Sequence, residues 1–484
     1  MFDKIVSTAN NIIWSVPFVC LCLAAGLFFT IYLKFPQIRH FGKMFKFTFG
    51  KSENSEDGIS SFQAFASTVG SRVGMGNIAG VATAIYFGGP GAVVWMWIIA
   101  FLGGASSFAE TALAQAYKTR LDNGDYVGGG AYFIEKGLKC KPLAVLFAIA
   151  TIIGPGLTMP GVQTQQTASV LGGSFGIPTV PTAIVLAILI FFVIAGSVKR
   201  IGKIAELLAP VMTIVYILLG LIVIFLRIGD VPGVLALMFK SAFGAEQAFA
   251  GIVGSMIMWG VKRGVYSSEA GQGSGAIVAA AAETSHPAKQ GLIQTLSVFI
   301  DTIVVCTISA LIILLSGFYN VTDGTNLLVS GAGDTEYGIL YAQNGLNGVL
   351  GGTWAGSIMA ICAVLFVFTS LMGYYYQAES NVNYLSKNNK TALWIFRVVF
   401  SLSVFAGAVI QNDTLWSMGD LGCGLMAWFN VIAILLMCKQ VKTIMNDFDE
   451  QYKLRQDAFF DPEILGIKDE LKIWTKYTQK KHEK

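Results

Sequence analysis

Two apolar stretches of this chain hold charges and clustered glycines at their centres, and few folds tolerate that combination. The first, SSFQAFASTVGSRVGMGNIAGVATAIYFGG, places Gly70, Gly74 and Gly76 around Arg72. Each glycine lowers helix stability by about 1 kcal/mol relative to alanine. An arginine at mid-span costs at least about 2.5 kcal/mol on insertion scales. The second, IVGSMIMWGVKRGVYSSEAGQGSGAIVAAAA, sets Lys262, Arg263 and Glu269 among Gly260, Gly264, Gly271, Gly273 and Gly275. Backbone without helical hydrogen bonds is tolerated at membrane depth only where protein or water satisfies it. Both stretches are therefore read as helices broken in the middle and facing a wet cavity. Small residues spaced for close packing are the alternative, but packing does not explain charges at the same depth in both.

The rest of the chain points to lipid as its main solvent. Of its 484 residues, 54% are apolar and 13% charged, about half the charged share of soluble domains. An ordinary soluble enzyme and a disordered regulator are excluded on that ground. The net charge of +4 is spread over loops, so no nucleic-acid partner is expected. Eleven stretches reach the roughly 20 apolar residues of a membrane helix, near 13–34, 61–86, 90–117, 142–172, 180–197, 205–227, 246–282, 291–316, 353–376, 391–410 and 415–438. Alternating ten-residue strands are missing, which argues against a barrel. The first stretch ends at Lys34 without a small-residue cleavage site and reads as a true span. The 7 cysteines and 3 histidines are scattered, so no metal other than a transported ion and no disulfide framework is expected.

Basic residues set the orientation. They follow spans one, three, five, seven and nine, whereas 173–180 and 317–352 hold no Lys or Arg. Only Arg227 and Lys240 run against the rule. The N-terminus is thus expected outside and the C-terminus inside a plasma (inner) membrane, with 439–484 a solvated cytoplasmic tail. Setting span one aside leaves five spans and five, each half opening with a broken helix. Five is odd, so the halves run in opposite senses. The expected fold is an all-α integral membrane protein of eleven transmembrane helices, a 5+5 inverted repeat plus one extra N-terminal helix. Its divisions are 1–52 (extra helix and loop), 53–228 (first repeat), 229–438 (second repeat) and 439–484 (tail).

A broken helix exposes amides at one half-helix start, where a carboxylate binds, and carbonyls at the other half's end, where a dehydrated cation binds. Thr369 and Ser370 lie one turn beyond Phe366 in ICAVLFVFTSLMGYYYQAE, so their hydroxyls and its carbonyl can meet. Equally, both hydroxyls can bond back to their own helix.

At these residues the chain resembles the alanine or glycine:cation symporters, the sodium:alanine symporters of bacteria and archaea. The resemblance runs from about residue 55 to 440. It is strongest in VGMGNIAGVATAIYFGGPGAVVWMW (73–97), FAETALAQAYK (108–118), YVGGGAYFIEKGL (126–138), SSEAGQGS (267–274), HPAKQGLIQTLSVFIDTIVVCT (286–307) and FVFTSLMGYYYQAE (366–379). It implies the fold of the bacterial leucine transporter. It also implies a sodium site from the carbonyls of Gly70, Val73 and Phe366 with the hydroxyls of Thr369 and Ser370. A small zwitterionic amino acid would sit among Gly74, Met75, Gly76, Asn77, Gln163, Tyr266, Ser267, Ser268 and Tyr374. No cofactor is implied beyond Na⁺ as coupling ion. The chain departs from the family where Ser268 replaces an asparagine, Gln272 a methionine and Tyr374 a tryptophan. Gln165 and Gln166 add further amides. Alanine or glycine is the default substrate; a larger or more polar neutral amino acid such as glutamine or serine is the alternative, and coupling to H⁺ in place of Na⁺ is the other.

Arg72, Arg263 and Glu269 are expected to pair between the broken helices, either as structure or as a gate. Glu110, Glu206 and Asp301 lie in or near spans and are candidate proton carriers, although a helix-end position suffices for Glu206. Gly172, Ser174 and Gly176 spell GxSxG, but no strand precedes them. Gly74-x-Gly76 and Gly271-x-Gly273 lack the strand and the Lys-Ser/Thr of a phosphate loop. An enzyme is not expected, and a channel would share the broken helices but conduct without saturating.

Overall fold

The computed structural model describes residues 2–50, 58–121, 124–196, 198–410, 412–455, 457–469 and 471–482. Nearly all of it is helix, with two short hairpins, Thr119–Arg120 with Tyr126–Val127 and Asn320–Thr322 with Leu327–Ser330. Large apolar side chains lie on the outside as well as in the core. Phe192, Leu207, Phe225 and Leu402 are each more than 60% exposed, while Asn77, Glu110, Gln163, Asp301 and Ser370 are fully enclosed. An exposed apolar belt around a polar interior is what lipid solvation selects. Among the described residues, six helices are long and apolar enough to cross a membrane, or seven counting a bent N-terminal pair. That pair, Phe2–Ile13 and Val16–Tyr32, is bent by 42°. Its hinge is fixed where Trp14 Nε1 donates to the Asp420 carbonyl at 2.8 Å.

The broken stretches fold as their glycines dictate. The first begins on a capping box: the Ser60 hydroxyl accepts from the Gln63 amide, and the Gln63 side chain from that of Ser60. It runs Ser61–Arg72, breaks at Val73 and Gly74, and resumes as Met75–Gly88. The second follows a 3₁₀ turn at Gln247–Ile252, runs Val253–Ser268 and resumes as Ser274–Ala280. Between its halves Glu269, Gly271 and Gly273 take left-handed backbone angles, φ +55°, +85° and +82°. The expected span 142–172 is itself interrupted, because Pro155 forces a π-helical turn, Gly154–Thr158, between Lys141–Ile153 and Met159–Phe175. A second π-helical segment, Phe299–Cys306, lies between Pro287–Val298 and Thr307–Ser316 and carries Asp301.

The tail differs from the expectation of a solvated extension. Cys438–Arg455 is helical, and Phe448, Ala458, Phe460, Trp474 and Tyr477 are buried against the bundle. The Phe460 amide donates to the Ser285 carbonyl at 2.8 Å, and the Ser285 hydroxyl to the Ala458 carbonyl at 2.9 Å. Two histidines flank the same helix: His286 Nε2 lies 3.1 Å from Asp447, and His40 Nε2 lies 2.9 Å from Asp449. Counting charges concealed an aromatic face that needs cover. Phe460→Ala should lower stability by about 3–5 kcal/mol, read by thermal unfolding in detergent. Burial, ahead of the opposing pull of Asp449, holds the His40 imidazole below its ordinary 6.5. Protonation is harder in the folded chain than in the unfolded one, so stability falls as pH drops through 6.5. Melting temperatures between pH 7.5 and 5.5 should decline more steeply for wild type than for His40→Gln; equal slopes would contradict this.

Candidate functional site

At the first break the chain leaves its own hydrogen-bond ladder, and side chains from other helices fill in. The Gly74 amide donates to Asn77 Oδ1 at 3.0 Å, a local cap. The Met75 amide donates to Gln163 Oε1 at 3.1 Å, and Gln163 Nε2 donates to the Tyr374 hydroxyl at 3.2 Å. On the other side of the break, the Ser370 hydroxyl donates to the Gly70 carbonyl at 3.2 Å. Thr369 Oγ1 bonds back to the Phe366 carbonyl at 2.9 Å. Of the two sequence readings of these hydroxyls, Thr369 follows the local one and Ser370 reaches across. Four oxygens from two helices thus share one small region, and Val73 beside them is fully buried. Gly74 has to be glycine here, since a Cβ would stand 2.4 Å from Ser370 Oγ and 3.1 Å from Gln163 Oε1. A Cβ on Gly76 would stand 3.1 Å from the Tyr266 ring.

Asp301 ties the two broken helices together, a role the sequence did not single out. Its Oδ1 accepts from Asn77 Nδ2 at 2.6 Å, and its Oδ2 from the Ser267 and Thr302 hydroxyls at 2.7 Å each. A π-helical segment widens the turn that presents it, as such bulges do at functional positions. Glu110 acts similarly one layer away: its Oε2 accepts from the Gly273 amide at 3.1 Å and from Asn430 Nδ2 at 2.7 Å. Their signal was present in the sequence as acidic residues inside apolar runs. Their partners, more than 150 residues off in most cases, were not.

The expected pairing of Arg72, Arg263 and Glu269 is corrected for Arg263, while Arg72 and Glu269 attract each other across the broken helices without a direct ion pair among the described residues. Arg263 Nη2 and Lys262 Nζ both meet Asp420 Oδ2, at 2.6 and 2.7 Å. Arg72 donates to the Gln294 carbonyl at 3.2 Å and to the hydroxyls of Ser297 and Ser107. Glu269 accepts from Ser71 at 3.1 Å, Ser274 at 2.9 Å and Gln377 at 3.1 Å. Glu269 itself has a left-handed backbone, φ +55°.

The residues unusual for the resemblance are mostly absorbed locally. Ser268 bonds back to the Gly264 carbonyl at 2.7 Å, and Gln272 Nε2 donates to the Val265 carbonyl at 2.5 Å. Gln166 Nε2 donates to Gln165 and to Asn412, and its Oε1 accepts from the Ile339 amide at 3.0 Å. Tyr374 bonds to Gln163 at the first break.

This geometry has a known architecture. A solved structure, MhsT in complex with L-phenylalanine, superposes with a TM-score of 0.55 over 81% of this chain and 99% of the other, at 14% identity. Its fold is that of the leucine transporter. At that identity the likeness shows the fold alone. A profile of the sodium:alanine symporter family matches residues 1–462, and the chain belongs to that family. YrbD of Bacillus subtilis is 47% identical over 467 residues, covering 96% of each chain. The sodium/proton-dependent alanine carrier protein of Bacillus sp. strain PS3 is 42% identical, over 88% of this chain and 96% of its own. "Probable sodium/glutamine symporter GlnT" of Bacillus subtilis is 40% identical, over 98% and 96%. The chain is thus a multi-pass membrane transporter and not an enzyme.

Proposed function

We propose that this chain imports alanine or glycine together with Na⁺ by alternating access. In this reading it crosses the membrane eleven times, with the N-terminus outside and the C-terminus in the cytoplasm. One N-terminal helix precedes two inverted five-helix repeats, 53–228 and 229–438. The observation that carries the reading is the Ser370 hydroxyl 3.2 Å from the Gly70 carbonyl, because it joins the first broken helix to Trp354–Ser386 through oxygen alone. Na⁺ is a hard cation that suits such donors. The carbonyls of Gly70, Val73 and Phe366 with the hydroxyls of Thr369 and Ser370 would hold it, fixing the first broken helix against its neighbour.

The amino acid would sit at the breaks, among Gly74, Met75, Gly76, Asn77, Gln163, Tyr266, Ser267, Ser268 and Tyr374. Its carboxylate would take the Met75 amide from Gln163 Oε1, which frees Gln163 and Tyr374 to move. Arg72, Arg263 and Glu269 would hold or gate the broken helices through their separate partners. Ion and substrate then raise each other's affinity by one shared coupling free energy. Two similarities leave the substrate to be decided, since the PS3 relative is named for alanine and GlnT for glutamine. The small-substrate reading is favoured by Ser268, Gln272 and Gln166, whose polar groups already bond within the protein. Competition against labelled alanine uptake tests it: alanine and glycine should block, with glutamine at least tenfold weaker. Equal block by glutamine would overturn the small-substrate reading.

A further inference from the structure

Lys262 and Arg263 share one oxygen of Asp420, and all three side chains are at most 6% exposed. Two cations against one carboxylate leave an excess positive charge inside a membrane protein, where an uncompensated ion is costly. Hydrogen bonding is incomplete at the same place. Among the described residues, Arg263 Nε and Nη1, the Trp416 indole N–H and the Tyr266 hydroxyl are buried donors without partners, and Asp420 Oδ1 is a buried acceptor without one. Each unsatisfied buried polar group costs about 1–3 kcal/mol, more when charged.

Aromatic rings clasp the guanidinium: its carbon lies 4.5 Å from the Trp416 ring centre, 5.2 Å from Trp259 and 5.4 Å from Tyr266. Glycines pack against the clasp. A Cβ on Gly80 would lie 3.7 Å from Arg263 Cδ, and one on Gly419 would lie 3.3 Å from the Tyr266 hydroxyl. One small anion accepting from these donors would cancel the excess charge and satisfy them together.

We propose that Arg263, Trp416 and Tyr266 form a binding site for a small monovalent anion. The site is separate from the oxygen-lined region at Gly70, and Tyr266 stands between it and Gly76. Its ligand is either chloride or the carboxylate of an amino acid on its way to the breaks; the second source rests on the transport reading above.

The test uses the full chain in nanodiscs without any ion gradient, so its outcome is independent of whether transport is seen. Chloride and propionate are each titrated against gluconate, a bulky reference anion, and the melting temperature is read. A ligand that binds only the folded state raises it saturably. At least one of the two anions should do so in wild type. Trp416→Phe, which keeps a ring and removes the N–H, should weaken that binding about fivefold or more. Arg263→Gln should abolish it. If Arg263→Gln does not fold, Trp416→Phe decides. Chloride-dependent uptake of labelled alanine would identify chloride as the ligand. Competition by propionate, with uptake equal in chloride and gluconate, would identify the carboxylate. No shift with either anion in wild type, or an unchanged shift in the variants, overturns the proposal.

Discussion

Ser370→Ala should raise the Na⁺ concentration for half-maximal uptake by at least tenfold. Its hydroxyl is the only side-chain oxygen among the described residues recorded crossing to the Gly70 carbonyl, at 3.2 Å. Losing an oxygen that contacts a cation costs about 1.5–3 kcal/mol, the range for hydrogen bonds to charged groups, and about 1.4 kcal/mol is a factor of ten. Substrate affinity at saturating Na⁺ should change far less, because the Gln163–Met75 contact lies on the other side of the break. Thr369→Ala should have the smaller effect, since that hydroxyl already bonds back to its own helix. Initial rates of labelled alanine uptake against Na⁺ concentration measure both. An unchanged Na⁺ requirement in Ser370→Ala would contradict the site.

Asp301→Asn should cut uptake at least tenfold while the protein still reaches the membrane and binds detergent as wild type does. Three donors converge on this carboxylate, from Asn77, Ser267 and Thr302. An amide supplies one acceptor oxygen and turns its NH₂ toward one of them. If that end faces Asn77 Nδ2, two donors meet and only the 3.2 Å bond from Asn77 to the residue-301 carbonyl still ties the first broken helix. If it faces the hydroxyls, the tie to Ser267 on the second broken helix weakens instead. In either case one of the two ties made through this side chain is weakened. Thr302→Val removes only a neighbouring hydroxyl on the same segment and should stay within about twofold of wild type. Full uptake by Asp301→Asn would show that the bridge is dispensable.

These contacts show what a sequence can and cannot carry. Local signals survived: Gly70 to Gly76 and Gly271 to Gly273 marked the breaks. Phe366, Thr369 and Ser370 lay within one turn of each other, so their meeting was legible. Which other helix they would touch came from resemblance. Long-range pairings were not legible. Arg263 and Glu269 are six residues apart, yet they meet different partners, and Asp420 lies 157 residues beyond Arg263. The tail misled for another reason: its charges outweigh its aromatics in composition, but Phe448, Phe460 and Trp474 share one buried face.

The most direct measurement is uptake of labelled alanine into proteoliposomes bearing the wild-type chain, with an inward Na⁺ gradient on one side of the comparison and K⁺ in its place on the other. Saturable accumulation above equilibrium with Na⁺, and none with K⁺, is the expected result. Accumulation that is equal in the two ions would contradict Na⁺ coupling through the Gly70–Ser370 site.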